Sequence, residues 1–366
     1  MLAVNGGSEA ISSLLTVPGA SRSVLLATAP YTNTALVEWL GSRPEQFCSS
    51  RTARAMAMVA YQKACQLANP VEPPQRVSER LACMIGIACT VSLASDRPKR
   101  GPHRFFVATQ TVDTTTCVHV ELEKGRRTRA DEEHLACLTI LNEIAAACGL
   151  ADRVAIQLTG LERPQRSFMS APADWQALLA GGLNRIGSGH ANESPRALFP
   201  GAFNPLHDGH RRMAEKASQL LGGPVAFEIS VANVDKPPLD FIEIDERLLQ
   251  FDADQNVWLT RAPTFAEKAL LFPGVTFVVG ADTLERIAEP RYYHENVPAM
   301  LRAIEQIATA GCRFLAFGRE VDGSFQSLDD LNLPPSLRAL CQEVPEAEFR
   351  EDVSSTELRE RRAEEQ

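Results

Sequence analysis

The stretch Gly201-Ala202-Phe203-Asn204-Pro205-Leu206-His207-Asp208-Gly209-His210 constrains this chain more than any other. It follows a short apolar run, Ala197 to Phe199, and precedes an amphipathic run that begins at Arg211. The order is strand, turn, helix, with two of the seven histidines three residues apart in the turn. Neutral imidazoles at a helix N-terminus can donate N–H bonds to phosphate oxygens, and the exposed backbone amides there favour the same anions. Gly209 removes a side chain where a triphosphate has to approach the backbone. Pro205, Asp208 and Gly209 also suit a plain tight turn with His210 as a polar first-turn residue. The ten-residue pattern in strand–turn–helix context favours the phosphate reading.

The same alternation runs through the C-terminal half. A helix over His210–Leu221 presents Met213, Ala214, Ala217, Leu220 and Leu221 on one face, and Gly222-Gly223-Pro224 ends it. Val225–Val231, Val257–Thr260, Thr276–Val279 and Arg313–Phe317 read as strands. This argues a parallel sheet covered on both faces, with ligands at the carboxyl ends of its strands. The N-terminal half alternates as well. Leu2–Val4, Val24–Ala27, Cys83–Thr90, Phe105–Gln110 and Val118–Leu122 read as strands, and Ala10–Leu15, Arg51–Leu67 and Glu132–Ala147 as helices. The expected fold class is α/β in two domains, residues 1–165 and 195–366. Between them, residues 166–194 hold a short connecting helix around Trp175, Leu178 and Leu179 and a Gly-rich linker over 181–195.

A length of 366 residues suits two cores, and 45% hydrophobic with 23% charged residues describes a globular chain. No apolar run reaches the roughly 18 residues that span a bilayer, so no membrane partner is expected. No basic segment followed by an apolar core opens the chain. A formal charge of −9 argues against a nucleic-acid partner, while leaving room for a local basic pocket. The nine cysteines form no Cys-x-x-Cys pair and mostly sit among apolar residues, as in Leu81-Ala82-Cys83-Met84. Neither a disulfide framework nor a metal-ligating cluster is expected, and a reducing, cytoplasmic compartment fits best. A homo-oligomer is compatible with the sequence.

Three further stretches bear on the same chemistry. Phe277-Val278-Val279-Gly280-Ala281-Asp282 ends a strand in a glycine and an acid, where Gly280 admits a nucleoside and Asp282 can hold a ribose hydroxyl or metal-bound water. An ordinary strand-to-helix turn reads the same way. Phe314-Leu315-Ala316-Phe317-Gly318-Arg319 ends a strand in an arginine. In Val353-Ser354-Ser355-Thr356-Glu357-Leu358-Arg359, Ser354 and Glu357 have capping-box spacing, and the same helix N-terminus aims hydroxyls, amides and Arg359 at an anion.

The double-histidine turn resembles the Gly-x-Phe-x-Pro-x-His-x-Gly-His motif of the nucleotidyltransferase superfamily. The order of the four stretches resembles the nicotinamide and nicotinic acid mononucleotide adenylyltransferases, whose last motif is Ile-Ser-Ser-Thr-x-Ile-Arg. Val353 and Leu358 replace its isoleucines. The resemblance runs from Pro195 to Arg362 and implies a Rossmann-like domain using ATP and Mg²⁺, with a mononucleotide phosphate attacking the α-phosphorus and pyrophosphate leaving. On that resemblance His207 and His210 are the catalytic pair, and Gly201, Ala202, Phe203 and Gly209 shape the triphosphate turn. Ser355, Thr356 and Arg359 grip the β- and γ-phosphates, Gly280 and Asp282 lie at the adenosine, and Arg319 joins the ATP site. Lys236 and Arg247 are candidates for the mononucleotide phosphate and Trp258 for stacking on the pyridine, beside ordinary salt-bridge or core roles. Class I aminoacyl-tRNA synthetases share the turn, but their Lys-Met-Ser-Lys-Ser-type loop is absent here. Phosphopantetheine and cytidylyl enzymes, or a decayed nucleotide-binding regulator, are the alternatives.

Gly6-Gly7, the run Leu14–Ser21 and Pro30-Tyr31-Thr32-Asn33 resemble the nicotinamide-nucleotide amidase domain of the competence/damage-inducible protein family, over about Leu2 to Leu150. Aligning the glycines puts Ala3 at the position of the serine nucleophile, and Leu36 stands where the family has a lysine. Hydrolysis of an amide needs an activated nucleophile beside a base. The expectation is a degenerate amidase-like domain. Ser8 is the one candidate substitute, and the basic loop Arg97–Arg104 either binds phosphate or is solvated surface.

Overall fold

The computed structural model describes residues 1–68, 83–97, 99–188, 194–234, 236–321 and 324–350. The chain divides into two compact units, Met1–Gln176 with Asp235–Ile244, and Ala177–Val234 with Asp245–Gln366. Both are α/β.

The first unit holds a six-stranded sheet of β1 (Leu2–Val4), β2 (Ala27–Thr28), β3 (Gly86–Ser92), β4 (His103–Gln110), β5 (Thr114–Leu122) and β6 (Gln165–Ser170), ordered β2-β1-β3-β4-β5-β6. β1 pairs in parallel with β2 and β3, and the remaining pairs are antiparallel. Alternation along the strands builds two apolar layers. Leu2, Val4, Ile87, Cys89, Phe105 and Val107 face the helix Arg129–Ala147, through Leu135, Ala136 and Ile140. Ala3, Ala88, Phe106 and Ala108 face the helix Ser50–Leu67, through Ala53, Met56, Ala57 and Ala60. The small residues of that helix let it ride close to the sheet. A Cβ on Gly86 would fall 2.1 Å from the Ala57 carbonyl oxygen and 2.3 Å from the Tyr61 nitrogen, so only glycine fits there.

Segment Asp235–Ile244 clusters with this unit despite its distance in sequence. Arg54, almost fully buried, donates from Nε to Asp240 at 3.0 Å and lies 3.4 Å from Glu243. Arg51 donates from Nε to Glu243 at 3.0 Å, and the backbone N–H of Phe241 donates to the Thr115 hydroxyl at 3.1 Å.

The second unit holds a seven-stranded sheet of β7 (Arg185–Ser188), β8 (Ala197–Pro200), β9 (Val225–Ser230), β10 (Val257–Thr260), β11 (Thr276–Gly280), β12 (Arg313–Phe317) and β15 (Cys341–Val344). Its order is β15-β12-β11-β8-β9-β10-β7, with β7 antiparallel to β10 and the rest parallel. In chain order the six parallel strands run 3-2-1-4-5-6, the doubly wound Rossmann arrangement. Phe277, Val279, Phe314 and Ala316 pack on Met300, Ile304 and Ile307 of the helix Val297–Thr309. A two-stranded hairpin of β13 (Arg319–Val321) and β14 (Ser324–Gln326) follows β12. Among the described residues, no helix is long and apolar enough to cross a membrane.

Two stretches between the expected domains are not what the sequence suggested. Arg166–Ser170, expected in a connecting helix, lies in β6, and the helix begins only at Ala173. The Gly-rich stretch expected as linker contains β7, paired with Val257–Thr260. Both are edge strands, and β6 is exposed at nearly every position, so neither shows apolar alternation.

Candidate active site

In an open doubly wound sheet, the crevice for ligands opens where the strand order reverses, outside the carboxyl ends. Here that point lies between β8 and β11, which pair through Thr276↔Ala197 and Phe277↔Leu198. The double-histidine turn leaves β8, and Gly280-Ala281-Asp282 leaves β11, so the fold brings these two sequence motifs to neighbouring strand ends.

The turn is built around one aromatic side chain. Phe203 has φ 44°, a backbone region that bulky residues rarely occupy. Its ring is 1% exposed and packs edge-on against Phe199, Phe227 and Phe251 at 5.4–5.5 Å. A Cβ on Gly201 would sit 2.5 Å from that ring, so Gly201 is what lets the ring fold beneath the turn. The Gly201 N–H donates to the Glu228 carbonyl at 2.9 Å, tying the turn to β9.

The turn feeds helix α6 (Asp208–Leu221; labelled with the helices Glu9–Leu15, Asn33–Leu40, Ser50–Leu67, Arg129–Ala147 and Ala173–Ala180 as α1–α5). His207 is its N-cap, with extended backbone at φ −136° and ψ 170°, and His210 occupies the third helical position. The two imidazoles stack at 3.6 Å between centroids and 28° between planes. The backbone N–H of His207 donates to Nδ1 of His210 at 3.3 Å. An Nδ1 that accepts leaves the ring hydrogen on Nε2 of a neutral imidazole. Burial, with the His207 imidazole adding to it, pushes the His210 pKa down to about 3. His210 is therefore an uncharged N–H donor at neutral pH, held edge-on by Phe199 and Phe203 at 5.9 and 5.1 Å. The cost of charging it should appear in the folding equilibrium. The unfolded chain takes up a proton at this histidine near pH 6.5, and the folded protein only near pH 3. Stability thus falls as pH drops through that window, by up to about 1.4 kcal/mol per pH unit. Denaturant titrations from pH 7 to pH 4 should show that slope, and His210→Asn should flatten it.

The remaining expected residues are placed unevenly. Ala202 is exposed and its carbonyl accepts from Arg247 Nη1 at 2.9 Å, so Arg247 braces the turn. Gly209 is buried in the first turn of α6. Gly280 is the N-cap of helix α9 (Ala281–Ile287), which follows α7 (Phe241–Leu248) and α8 (Phe265–Leu271). Asp282 stands in the first turn of α9, one-third exposed and 3.7 Å from Arg286. Arg319 is exposed at the start of β13, beyond the end of β12. Lys236 is exposed and belongs to the segment that clusters with the first unit, not the unit of the histidines. Trp258 is a core side chain rather than a stacking platform. It is 6% exposed, packs edge-on against Phe272 at 5.3 Å and carries Arg185 over its ring at 5.2 Å. Ser355, Thr356 and Arg359 lie outside the described residues.

Sequence reasoning missed Gln250. Its Oε1 accepts from the Leu206 N–H at 2.8 Å, and its Nε2 donates to the Phe203 carbonyl at 3.0 Å. The one sequence signal is a polar residue three positions after Arg247 at the close of an amphipathic run.

No curated protein matches the chain in sequence. Residues 198–361 match the profile of the family described as Cytidylyltransferase-like, a span that opens inside β8 and takes in the turn, Gly280, Asp282, Arg319 and the Ser355-Thr356 stretch. The C-terminal part of this chain carries a cytidylyltransferase-like domain of the nucleotidyltransferase superfamily.

Proposed function

We propose that this domain is a mononucleotide adenylyltransferase that makes NAD or its deamido form from ATP and the corresponding mononucleotide. The observation that carries the reading is the stacked histidine pair at the N-terminus of α6, with His210 held neutral, set at the strand-order reversal of a nucleotidyltransferase domain. The order of Gly280-Ala281-Asp282, Arg319 and Ser355-Thr356-Glu357-Leu358-Arg359 downstream is that of the pyridine mononucleotide enzymes and supports the choice of acceptor.

The reaction needs placement and charge neutralisation more than covalent chemistry. A phosphate oxygen of the mononucleotide attacks the α-phosphorus of ATP, the bond from that phosphorus to the bridging β-oxygen breaks, and pyrophosphate departs with the electron pair. His210 donates from Nε2 to the triphosphate oxygens, beside the His207 ring and the first amides of α6. Charge developing on the leaving pyrophosphate strengthens these bonds, so they favour the transition state. Among the described residues no three or more His, Cys, Asp or Glu side chains form a metal cluster. A Mg²⁺ would be carried by the triphosphate and water, with the partly exposed Asp282 the carboxylate that would serve its hydration shell, and the ion would supply further charge neutralisation.

The first unit would be a degenerate amidase-like partner serving self-association or substrate sensing. In the position of the expected nucleophile, Ala3 is fully buried within β1. Gly7 takes the left-handed conformation at φ 69° and its N–H donates to Glu133, so that loop is closed by a carboxylate of its own unit.

Pyrophosphate release with ATP and Mg²⁺ and, in parallel, nicotinamide and nicotinic acid mononucleotides tests the proposal. Turnover with one of them sets the acceptor. The family description makes CTP in place of ATP the necessary second arm, and turnover with CTP alone would replace the adenylyl assignment with a cytidylyl one.

A further inference from the structure

The phosphate turn depends on a side chain outside its own motif. Phe203 holds an unfavourable φ, and its carbonyl and the Leu206 N–H, between it and α6, find their partner in a side chain rather than in a strand or helix. Gln250 meets both with a single primary amide, accepting from Leu206 and donating to Phe203. Its own backbone is fixed in turn, because the Gln250 carbonyl accepts from Arg211 Nη2 at 3.0 Å, and Arg211 pairs with Asp252 at 2.8 Å. The next residue, Phe251, places its ring against Phe203 and Phe227 at 5.4 and 4.9 Å. Leu206 directly precedes His207, so the two amide bonds bracket the approach to the imidazole pair.

We propose that Gln250 is a positioning residue for the triphosphate site, a role that rests on the nucleotidyltransferase function proposed above. It touches no reacting atom and acts through the turn. A primary amide is the only side-chain end group of this length that offers an acceptor and an N–H donor side by side. A carboxylate keeps the bond from Leu206 and turns an acceptor toward the Phe203 carbonyl. A thioether keeps neither in strength. Each change releases the turn while leaving the aromatic cluster beneath it intact.

The experiment uses the full-length protein and compares wild type with Gln250→Met and Gln250→Glu. Inorganic tripolyphosphate binding is read by calorimetry, and steady-state kinetics are read for ATP and the mononucleotide separately. Misplacing the turn should weaken tripolyphosphate about 10-fold and lower kcat/KM for ATP by roughly 10- to 100-fold, because small displacements of positioned groups carry large rate effects. The KM for the mononucleotide and the thermal midpoint should stay near wild type. A purely structural role would reduce kcat with the folded fraction and leave both KM values and the tripolyphosphate Kd unchanged, which would overturn the proposal. If Gln250→Met does not fold, Gln250→Glu carries the same comparison. Wild-type protein that binds tripolyphosphate but turns over no acceptor would remove the functional reading alone, and the binding arm would still decide on Gln250. Wild-type protein that binds no tripolyphosphate would overturn both.

Discussion

His210→Ala should lower kcat by about 10²- to 10³-fold while the protein remains folded. The magnitude is that of removing one pre-set hydrogen-bond donor from a site where transition-state charge develops. The direction follows from the electrostatics of the imidazole. With its pKa held down to about 3 by burial and by the His207 ring, His210 enters the reaction uncharged and already oriented, with Nδ1 engaged by the His207 N–H. Its contribution is a fixed donor, not a proton to be transferred, so the rate should show no titration of this residue between pH 5 and pH 9. His210→Gln, which can restore an N–H donor on a longer, less rigid arm, should recover part of the loss. The fold should tolerate both changes, because His210 is only partly buried and Phe199, Phe203 and Phe227 pack on one another without it. Pre-steady-state pyrophosphate release, with circular dichroism as the control for folding, separates the outcomes. A kcat within about three-fold of wild type for His210→Ala would show that the helix amides alone carry the triphosphate.

The same residues mark what a sequence can and cannot disclose. β1, β10 and β12 have the bounds their apolar runs announced, and the start of β9 was equally clear, because interior strands must be hydrophobic along their length. β6, β7 and β15 escaped notice, and the stretch read as Val24–Ala27 pairs only at Ala27 and Thr28. All four lie at sheet edges, where one side of the strand has no neighbour and little apolar surface has to be encoded. At the site, the spacing of His207 and His210 was legible, since a helix N-terminus converts a three-residue interval into ring proximity. Trp258 was not. An aromatic residue on a buried strand reads the same whether it faces a ligand or Phe272, and only the sheet's neighbours decide. Gln250 was hidden for a related reason. Its partners, Phe203 and Leu206, are more than forty positions away and engage it through backbone atoms that carry no sequence signature.

Lys268→Met should destabilise the second unit by about 3–5 kcal/mol. Lys268 is 5% exposed, and its Nζ lies 2.7 and 2.8 Å from the two carboxylate oxygens of Glu228 and 2.8 Å from the Ala262 carbonyl. Glu228 is fully buried in β9, in the middle of the sheet, and also accepts from the Thr260 hydroxyl on β10. Among the described residues the ammonium is therefore the only cation bonded to this carboxylate, which has no access to water. Removing it strands a negative charge in the interior, a far larger penalty than the attraction lost from an exposed pair. Glu228→Gln in the Lys268→Met background takes that charge away and keeps an oxygen for Thr260, so the double variant should regain more than half of the loss. The single Glu228→Gln change leaves the ammonium paired with a neutral amide and the Ala262 carbonyl, and should fall between the two. A double-mutant cycle by denaturant unfolding reads the coupling directly. Additive losses would mean that the pair is hydrated and not a core element. A strongly non-additive cycle would mark the pair as a structural support of the double-histidine turn, since the carbonyl of the same Glu228 accepts from the Gly201 N–H at the start of that turn. In that case Lys268→Met protein that survives at low temperature should also bind tripolyphosphate less tightly than wild type, linking the core of β9 to the geometry of the histidine pair.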